Sequence, residues 1–423
     1  MRTRLVALND MPVSHPYTWP TAFRALSHRN FRLYFAGHAC STLGTWVQQV
    51  AMAWLVYRIT DSAALLGVTT FVALVPQLLI GPLAGAWIDR HDKRRLLIQI
   101  ECLLALQALG LAALTAAELA GPTLLIVMAG VLGVLNAIDT PLRQSLISRL
   151  VDKRDDLPNA LALNAMLFTA SRMFGPPIAG IMLAYMSEAV CFSLNALSYL
   201  ALVIGLSRMR LAPVLTASGA LSKLFTEGVR FARTDPSVRT LILSVMAINV
   251  TASSYVVLLP IYARDIFTGN AQTLGWLWGA AGLGSLLSTL VLAGQPAVGR
   301  FPRMILGALL ISSIGLAWLG FATSMWNALL AMVAVGFGIT VANVGTNIVV
   351  QSVAPEALRG RVVSLYTATR FGFDALGGLL AGALAAQFGA PPMAMFAGAL
   401  LLAYSLATGR RLYHMQITAS AAH

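Results

Sequence analysis

The chain has 423 residues, 58% of them hydrophobic and 11% charged, with a formal net charge of +13 and a mean hydropathy of +0.76. An ordinary soluble domain is about a quarter charged, so this composition excludes a soluble globular protein and points to a membrane protein. The positive balance does not imply nucleic acid, because the basic residues are spread over short loops and not gathered into one domain.

Apolar runs such as ALLGVTTFVALVPQLLIGPLAGAWI (64–88) reach or exceed the roughly 20 residues that cross a bilayer. They do not alternate apolar with polar, so they read as helices and not as barrel strands. Twelve are predicted, at about 33–57, 63–88, 96–118, 122–147, 159–186, 189–207, 239–262, 272–293, 303–323, 326–351, 362–388 and 391–409. The organisation expected is a tail at 1–32, a six-helix bundle at 33–207, a linker at 208–238, a second six-helix bundle at 239–409 and a tail at 410–423. The polar start, MRTRLVALNDMPVSHPYTWP, has no compact apolar run with a small-residue cleavage site, and no cleaved signal peptide is expected. Of the 29 lysines and arginines, all but Arg58, Arg264, Arg172 and Arg370 fall on the side of the two termini. By the positive-inside rule both termini are expected in the cytoplasm.

In chain order, the first helix carries Gln48, Gln49 and Trp54, whose polar groups need partners or water and mark a candidate substrate cavity. His38 stands alone there and reads as a packing residue. The second helix closes on Gly81 and Gly85 and runs into Asp89, Arg90, Lys93, Arg94 and Arg95 in a very short loop. The basic cluster suffices as a topology signal, but Asp89 and the glycine spacing ask for more. Glu101 lies in the third helix, and Asp139 and Arg143 in the fourth stand four apart, able to pair across Pro141. In the linker, Leu221, Leu224, Phe225, Val229 and Phe231 approximate an apolar face opposite Lys223, Arg230 and Arg233, as in a surface amphipathic helix or a plain connector.

The fifth helix of each half carries an arginine followed by a glycine at the same spacing: RMFGPPIAG from Arg172 to Gly180, and RFGFDALGG from Arg370 to Gly378. An arginine at the centre of a membrane helix costs about 2.5–3.5 kcal/mol on insertion scales, so both are expected to face a cavity or a partner. The repetition suggests a duplicated architecture with sites at the interface between halves. Asp374 stands one turn from Arg370 and is expected to pair with it, whereas Arg172 has to look to another helix, with Asp139 at a suitable depth. Locking of neighbouring helices is the alternative role for both arginines. Cys40, Cys102 and Cys191 all fall in predicted helices with no histidine at metal-ligand spacing, so neither a disulfide framework, a metal site nor a cofactor is expected.

GAWIDRHDKRR resembles the loop signature between helices two and three of the major facilitator superfamily, with Asp92 where that pattern usually has glycine. Together with GTWVQQVAMAWLVYRIT, PQLLIGPLAGAWIDR, NAIDTPLRQ and RGRVVSLY, it resembles the branch that includes enterobactin exporters and macrolide efflux proteins. GPPIAG is similar to the helix-five signature of drug antiporters. The resemblance implies an all-α membrane protein of two pseudo-symmetric six-helix bundles rocking about a central cavity. It further implies a conformational gate of Gly85, Asp89, Arg90, Lys93, Arg94 and Arg143, with Asp89 at the N-terminus of helix eleven near Arg361 and Val362, and Arg90 near Asp139. No GxxxxGK[ST] phosphate loop occurs, so ATP hydrolysis within this chain is excluded and an ion gradient or facilitated diffusion is left. Asp139, Asp374 and Glu101 are the candidate proton carriers, static ion pairs being the competing role. The expected function is proton-coupled export of a small amphipathic molecule such as a siderophore or antibiotic by a monomer, its other partners being protons and membrane lipids. A lysophospholipid flippase of the same fold, or an importer, is the alternative; no nucleophile with a base and no metal set supports an enzyme.

Overall fold

Hydrocarbon offers a backbone no hydrogen-bond partners, so each apolar run has to pair its own groups, and in the computed structural model every one is helical. The structure describes residues 22–209, 230–295 and 297–415, without the side chains of Pro82, Leu83, Gly85, Ala86, Asp89 and Ala357. The long helices are α1 (Arg29–Thr60), α2 (Ala63–Asp89), α3 (Lys93–Ala116), α4 (Pro122–Ile147), α5 (Leu157–Tyr185) and α6 (Glu188–Ser207). They continue with α7 (Pro236–Ile266), α8 (Ala271–Ala293), α9 (Phe301–Gly320), α10 (Met325–Val353), α11 (Glu356–Phe388) and α12 (Ala390–Tyr413). Ten of the twelve are long and apolar enough to cross a membrane by length and composition; α1 and α5, richer in polar residues, complete the set.

The expected fold is therefore present, with three differences. Most helices run beyond their apolar stretches, because polar residues at the ends are as compatible with a helix as apolar ones. The clearest case is α11, which starts at Glu356, so that Arg361 and Val362 lie inside it and not at its N-terminus. Second, α7 is not one rod: α-helix runs to Thr251, a 3-10 turn covers Ala252–Ser254, helix resumes over Tyr255–Ile261, and a π-turn spans Tyr262–Ile266. Third, the linker helix expected around Leu221, Leu224, Phe225 and Val229 lies outside the described residues.

Short polar caps set the turns. Ser62, Asp92, Asp235, Asn270 and Ser324 each accept hydrogen bonds from the first free backbone N–H groups of α2, α3, α7, α8 and α10. Asp61 ends α1 in the left-handed conformation at φ 49°, and Gly389 at φ 87° turns α11 into α12, a conformation that favours glycine. The chain thus crosses back and forth between a terminal face, which holds Ala22 and Met415, and the opposite face. Within the first half, α1 packs on α5 and α6, α3 on α6, and α2 on α4; in the second, α9 packs on α10 and α12, α8 on α10, and α7 on α11.

The halves meet along two seams related by the internal repeat, α2 against α11 and α5 against α8. Both are closed by glycine. A Cβ on Gly180 would stand 2.8 Å from the Ala271 carbonyl oxygen and 3.1 Å from the Gly275 Cα, and one on Gly382 would stand 2.7 Å from the Gly67 Cα. Backbones at that distance leave no room for any side chain. The α2–α11 seam tightens toward the opposite face. On the terminal side Gly81 of α2 and Gly360 of α11 have nothing within 4 Å of a built Cβ.

On the terminal face the start of the chain is strapped to the α4–α5 turn. His28 places Nδ1 3.0 Å from Asp152 and Nε2 2.8 Å from Asp156, and Arg24 reaches Asp156 at 2.6 Å. Asn159 closes the strap, accepting from the Ala25 N–H and donating to the Ala22 carbonyl. Hydrogen bonds to the two carboxylates hold the His28 pKa above the ordinary imidazole value, and His28 in turn holds Asp156 below the ordinary carboxylate value.

Gly275→Leu overpacks the α5–α8 seam and is expected to cost about 1–3 kcal/mol. A cysteine placed at Gln272 should then react faster with a membrane-impermeant maleimide; equal labelling together with equal thermal stability would show that the helices are not this close. The His28 strap is fully secure below the unfolded histidine pKa and is lost as pH rises through the raised folded value. A spin label at Ser27, in a background without the native cysteines, should therefore gain mobility on going from mildly acidic to alkaline pH, and His28→Gln should remove that dependence.

Candidate functional site

Three polar constellations lie along the membrane-spanning helices, at different depths. The first bridges the halves at the opposite face. The Tyr57 hydroxyl at the end of α1 donates to Asp265 of α7, Arg264 pairs with Asp61, and Arg264 also donates to the Tyr57 carbonyl at 3.3 Å and stacks 5.7 Å from the Tyr57 ring. Arg58 pairs with Glu188 at 2.9 Å within the first half. The two arginines on this side, Arg58 and Arg264, are thus both spent on carboxylates.

The second constellation sits midway, where α5, α7 and α11 meet. Arg172 donates to the Tyr255 hydroxyl at 3.0 Å. Asp374 of α11 lies near Ser253, in the fields of both Arg370 and Arg172, while the Ser253 hydroxyl donates to Asn249 at 3.5 Å. The break in α7 makes this possible, since Ser253 belongs to the 3-10 turn and Tyr255 starts the helix that resumes after it. Arg370 lies with its guanidinium 5.2 Å from the Phe371 ring, beside the Tyr366 hydroxyl, and its buried Nε has no hydrogen-bond partner. The two repeat arginines thus lie on either side of Asp374, within its electrostatic reach. Two expected pairings do not form. Arg370 and Asp374 make no ion pair within 4.0 Å among the described residues; and Arg172 does not meet Asp139, which is held elsewhere.

One turn beyond Arg172, Gly175 admits the Trp46 side chain of α1 at 2.5 Å from its built Cβ, and Trp46 meets Trp278 of α8 edge to face at 6.3 Å. Trp278 is 7% exposed and its Nε1 has no partner. Gln49 is half-buried on the Trp46 face of α1. Beside this region, between α2 and α11, is a cavity of about 340 Å³ lined by Phe71, Val75, Leu78, Leu365, Thr369 and Phe373 among others.

The third constellation is inside the first half. Arg143 reaches Glu101 of α3 and Asp139 of its own helix, both at 2.6 Å, donates to Ser41 at 3.0 Å and touches His38. Arg143 is thus a third buried arginine, not a residue of the terminal loop, because α4 continues as helix through Pro141 and carries it inward. Two carboxylates share one guanidinium, and Glu101 Oε2 and Asp139 Oδ1 have no hydrogen-bond partner. This arrangement answers Asp139 locally, so its expected pairing with Arg90 is absent; Arg90 is exposed.

The remaining sequence candidates are dispersed. Gln48 is 1% exposed, donating to Gln107 at 3.1 Å and accepting from Asn195 at 2.6 Å; its amide is satisfied inside the bundle and it does not line the central region. Trp54 is half-buried against the apolar core. Arg94 donates to the last carbonyls of α6, Leu206 at 2.7 Å and Ser207 at 2.6 Å, which ties α3 to α6 within one half. Lys93 starts α3, and the side-chain positions of Gly85 and Asp89 lie outside the described residues. Sequence reasoning missed Ser253, Tyr255, Asp61, Asp265 and Arg264. A tyrosine and serines in the middle of an apolar helix were the available signal for the first two; the others looked like ordinary loop charges.

A family profile described as transmembrane secretion effector matches residues 20–422. The chain is 29% identical to the staphyloferrin A transporter of Staphylococcus aureus, over 85% of this chain and 90% of that one. It is 27% identical to the multidrug efflux pump Tap of Mycolicibacterium fortuitum, over 81% and 86%. Among solved structures, the nucleoside transporter NupG superposes with a TM-score of 0.72 at 12% identity, covering 92% of this chain and all of NupG.

Removing Arg143 leaves the two buried carboxylates of Glu101 and Asp139 without a counter-charge, at a cost of about 3–5 kcal/mol. Arg143→Met is accordingly expected to lower thermal stability sharply in detergent, and adding Glu101→Gln and Asp139→Asn should restore most of it. A single variant as stable as the wild type would mean that the cluster is not closed to water.

Proposed function

Since the chain belongs to the transmembrane secretion effector family of the major facilitator superfamily and is a transporter, we propose that it is a proton-driven exporter of a small amphipathic molecule, working by alternating access in a bacterial inner membrane. The observation that carries this reading is the pair of arginines repeated in the sequence and set on either side of Asp374 between the halves, beneath a face held shut by Tyr57–Asp265 and Arg264–Asp61. A charge repeated at corresponding positions and left at a bundle interface suits a site that both halves share. The bias of basic residues assigns the terminal face to the cytoplasm. On that assignment the seams are shut outside and the site is reached from within, as an exporter requires for loading.

In this proposal Arg172 and Arg370 bind cargo, with Gln49 and the Trp46–Trp278 pair adjacent to it. The coupling proton resides in the Glu101–Asp139–Arg143 cluster. Two carboxylates facing one guanidinium carry an excess negative charge in a medium that penalises it, and one proton between Glu101 and Asp139 cancels that charge. Asp374 is the second titrating group, released when cargo takes its place. Asp89, with Gly85, Arg90 and Lys93, fastens the cytoplasmic face in the other state. The siderophore and drug relatives support a cargo that is small and amphipathic.

Everted vesicles supplied with a panel of fluorescent drugs and labelled siderophores should accumulate at least one compound on energisation and lose it with a protonophore. Arg172→Ala and Arg370→Ala should insert normally and reduce accumulation about tenfold or more, the size of one lost charge-assisted contact. Glu101→Gln should keep exchange while losing dependence on the gradient. Movement only into right-side-out vesicles would make the protein an importer and overturn the reading.

A further inference from the structure

The charges around the half-interface site do not balance. Arg172 and Arg370 bring two guanidinium groups to it and Asp374 one carboxylate. Five other acids of the membrane-spanning helices and their ends are engaged elsewhere: Glu101 and Asp139 with Arg143, Glu188 with Arg58, Asp61 with Arg264, and Asp265 with Tyr57; Glu118 and Glu356 are exposed at helix ends. What Arg172 contacts is a neutral hydroxyl, and a guanidinium in a low-dielectric interior is poorly served by that. The two unpartnered buried polar atoms next to the site, Arg370 Nε and Trp278 Nε1, are both N–H donors. The site therefore has donors and positive charge to spare, and lacks acceptors and negative charge.

The same helix carries an apolar wall. Arg370 and Asp374 lie on one side of α11, while Leu365, Thr369 and Phe373 turn toward α2 and, with Phe71, Val75 and Leu78, line the cavity of about 340 Å³. That volume falls in the range of small-molecule pockets. The charged and the cavity-lining positions stand about a third of a turn apart round α11, so a ligand with a charged head and an apolar body a short linker apart can pass round the flank of the helix and use both.

Resting on the transporter reading above, we propose that the cargo class is an amphipathic carboxylate. Its head enters between Arg172 and Arg370 and replaces Asp374 as their counter-charge, and its apolar body occupies the α2–α11 cavity. A cation meets the excess positive charge and is rejected; a neutral amphiphile fills the cavity but leaves the guanidinium groups unmatched.

The test uses three fluorescent probes that share one body and differ in the head: 1-pyrenebutyrate, 1-pyrenebutanol and 1-pyrenebutylamine. Binding to the purified full-length protein in nanodiscs is read as energy transfer from tryptophan to pyrene, with empty discs subtracted. The carboxylate is expected to bind about tenfold or more tightly than the alcohol, and the amine more weakly than either, a charge-assisted contact to arginine accounting for the difference. Arg370→Gln should bring the carboxylate down to the level of the alcohol, and Leu78→Trp, which fills the cavity, should weaken all three. Equal binding of the three heads, or tighter binding of the amine, overturns the proposal on the wild-type protein alone, whether or not the variants fold. Head-group selectivity that survives both Arg172→Gln and Arg370→Gln also overturns it. Energised accumulation of neutral or cationic compounds in everted vesicles, without carboxylate selectivity in binding, would leave the exporter reading standing and remove this one; selective binding without energised transport of any compound would do the reverse.

Discussion

A guanidinium in hydrocarbon must be given counter-charge or hydrogen-bond acceptors by the protein, because lipid supplies neither. Three arginines on the spanning helices meet this constraint in two ways. Arg143 has counter-charge to spare, from Glu101 and Asp139, with Ser41 and His38 as further contacts, which ties α1, α3 and α4 together deep in one half. Arg172 and Arg370 are answered only in part, by Tyr255, Tyr366 and the more distant Asp374. A satisfied cluster fixes a bundle; an unsatisfied one at the boundary between bundles leaves free energy available to a ligand. The division of labour between a rigid half and a reactive interface follows from that difference.

The relation between the two halves also follows from the repeat. The glycine that lies eight positions beyond each arginine, Gly180 and Gly378, falls on a seam: Gly180 meets α8, and Gly378 presents its carbonyl to Gly67 of α2. The same short stretch of helix therefore supplies a charge to the interior and, two turns on, the close approach that shuts the opposite face. Closing and binding are carried by one element in each half, so a load on the arginine has a direct mechanical route to the seam.

Much of this was legible in the sequence. The helices and the duplication followed from apolar periodicity and from the matched spacing of arginine and glycine in the two halves. The pairing of Asp139 with Arg143 across Pro141 was legible too, but its depth was not, because Arg143 stands near the end of its apolar run and reads as a charge of the terminal side. Gln48 was misplaced for a similar reason: a polar residue in an apolar helix signals that it needs partners, and the sequence does not say whether those are Gln107 and Asn195 or a ligand. The interruption of α7 at Ala252–Ser254 carries neither glycine nor proline, so no local signal marks it. Tyr255, the first residue after it, takes the hydrogen bond from Arg172 across the half-interface.

The seams hold a consequence for rate. Side chains that interdigitate have to be unthreaded, rotamer by rotamer, before two helices part. Gly180 against Gly275 and Gly67 against Gly382 are backbone resting on backbone, with nothing to unthread. The barrier to parting them then resides in the few charged contacts at the rim, where Asp61 is largely exposed to solvent. Such pairs are screened over about 8–10 Å at physiological ionic strength. The speed of opening on that face is thereby placed under the control of the surrounding electrolyte, whereas the positions of the helices before and after are not.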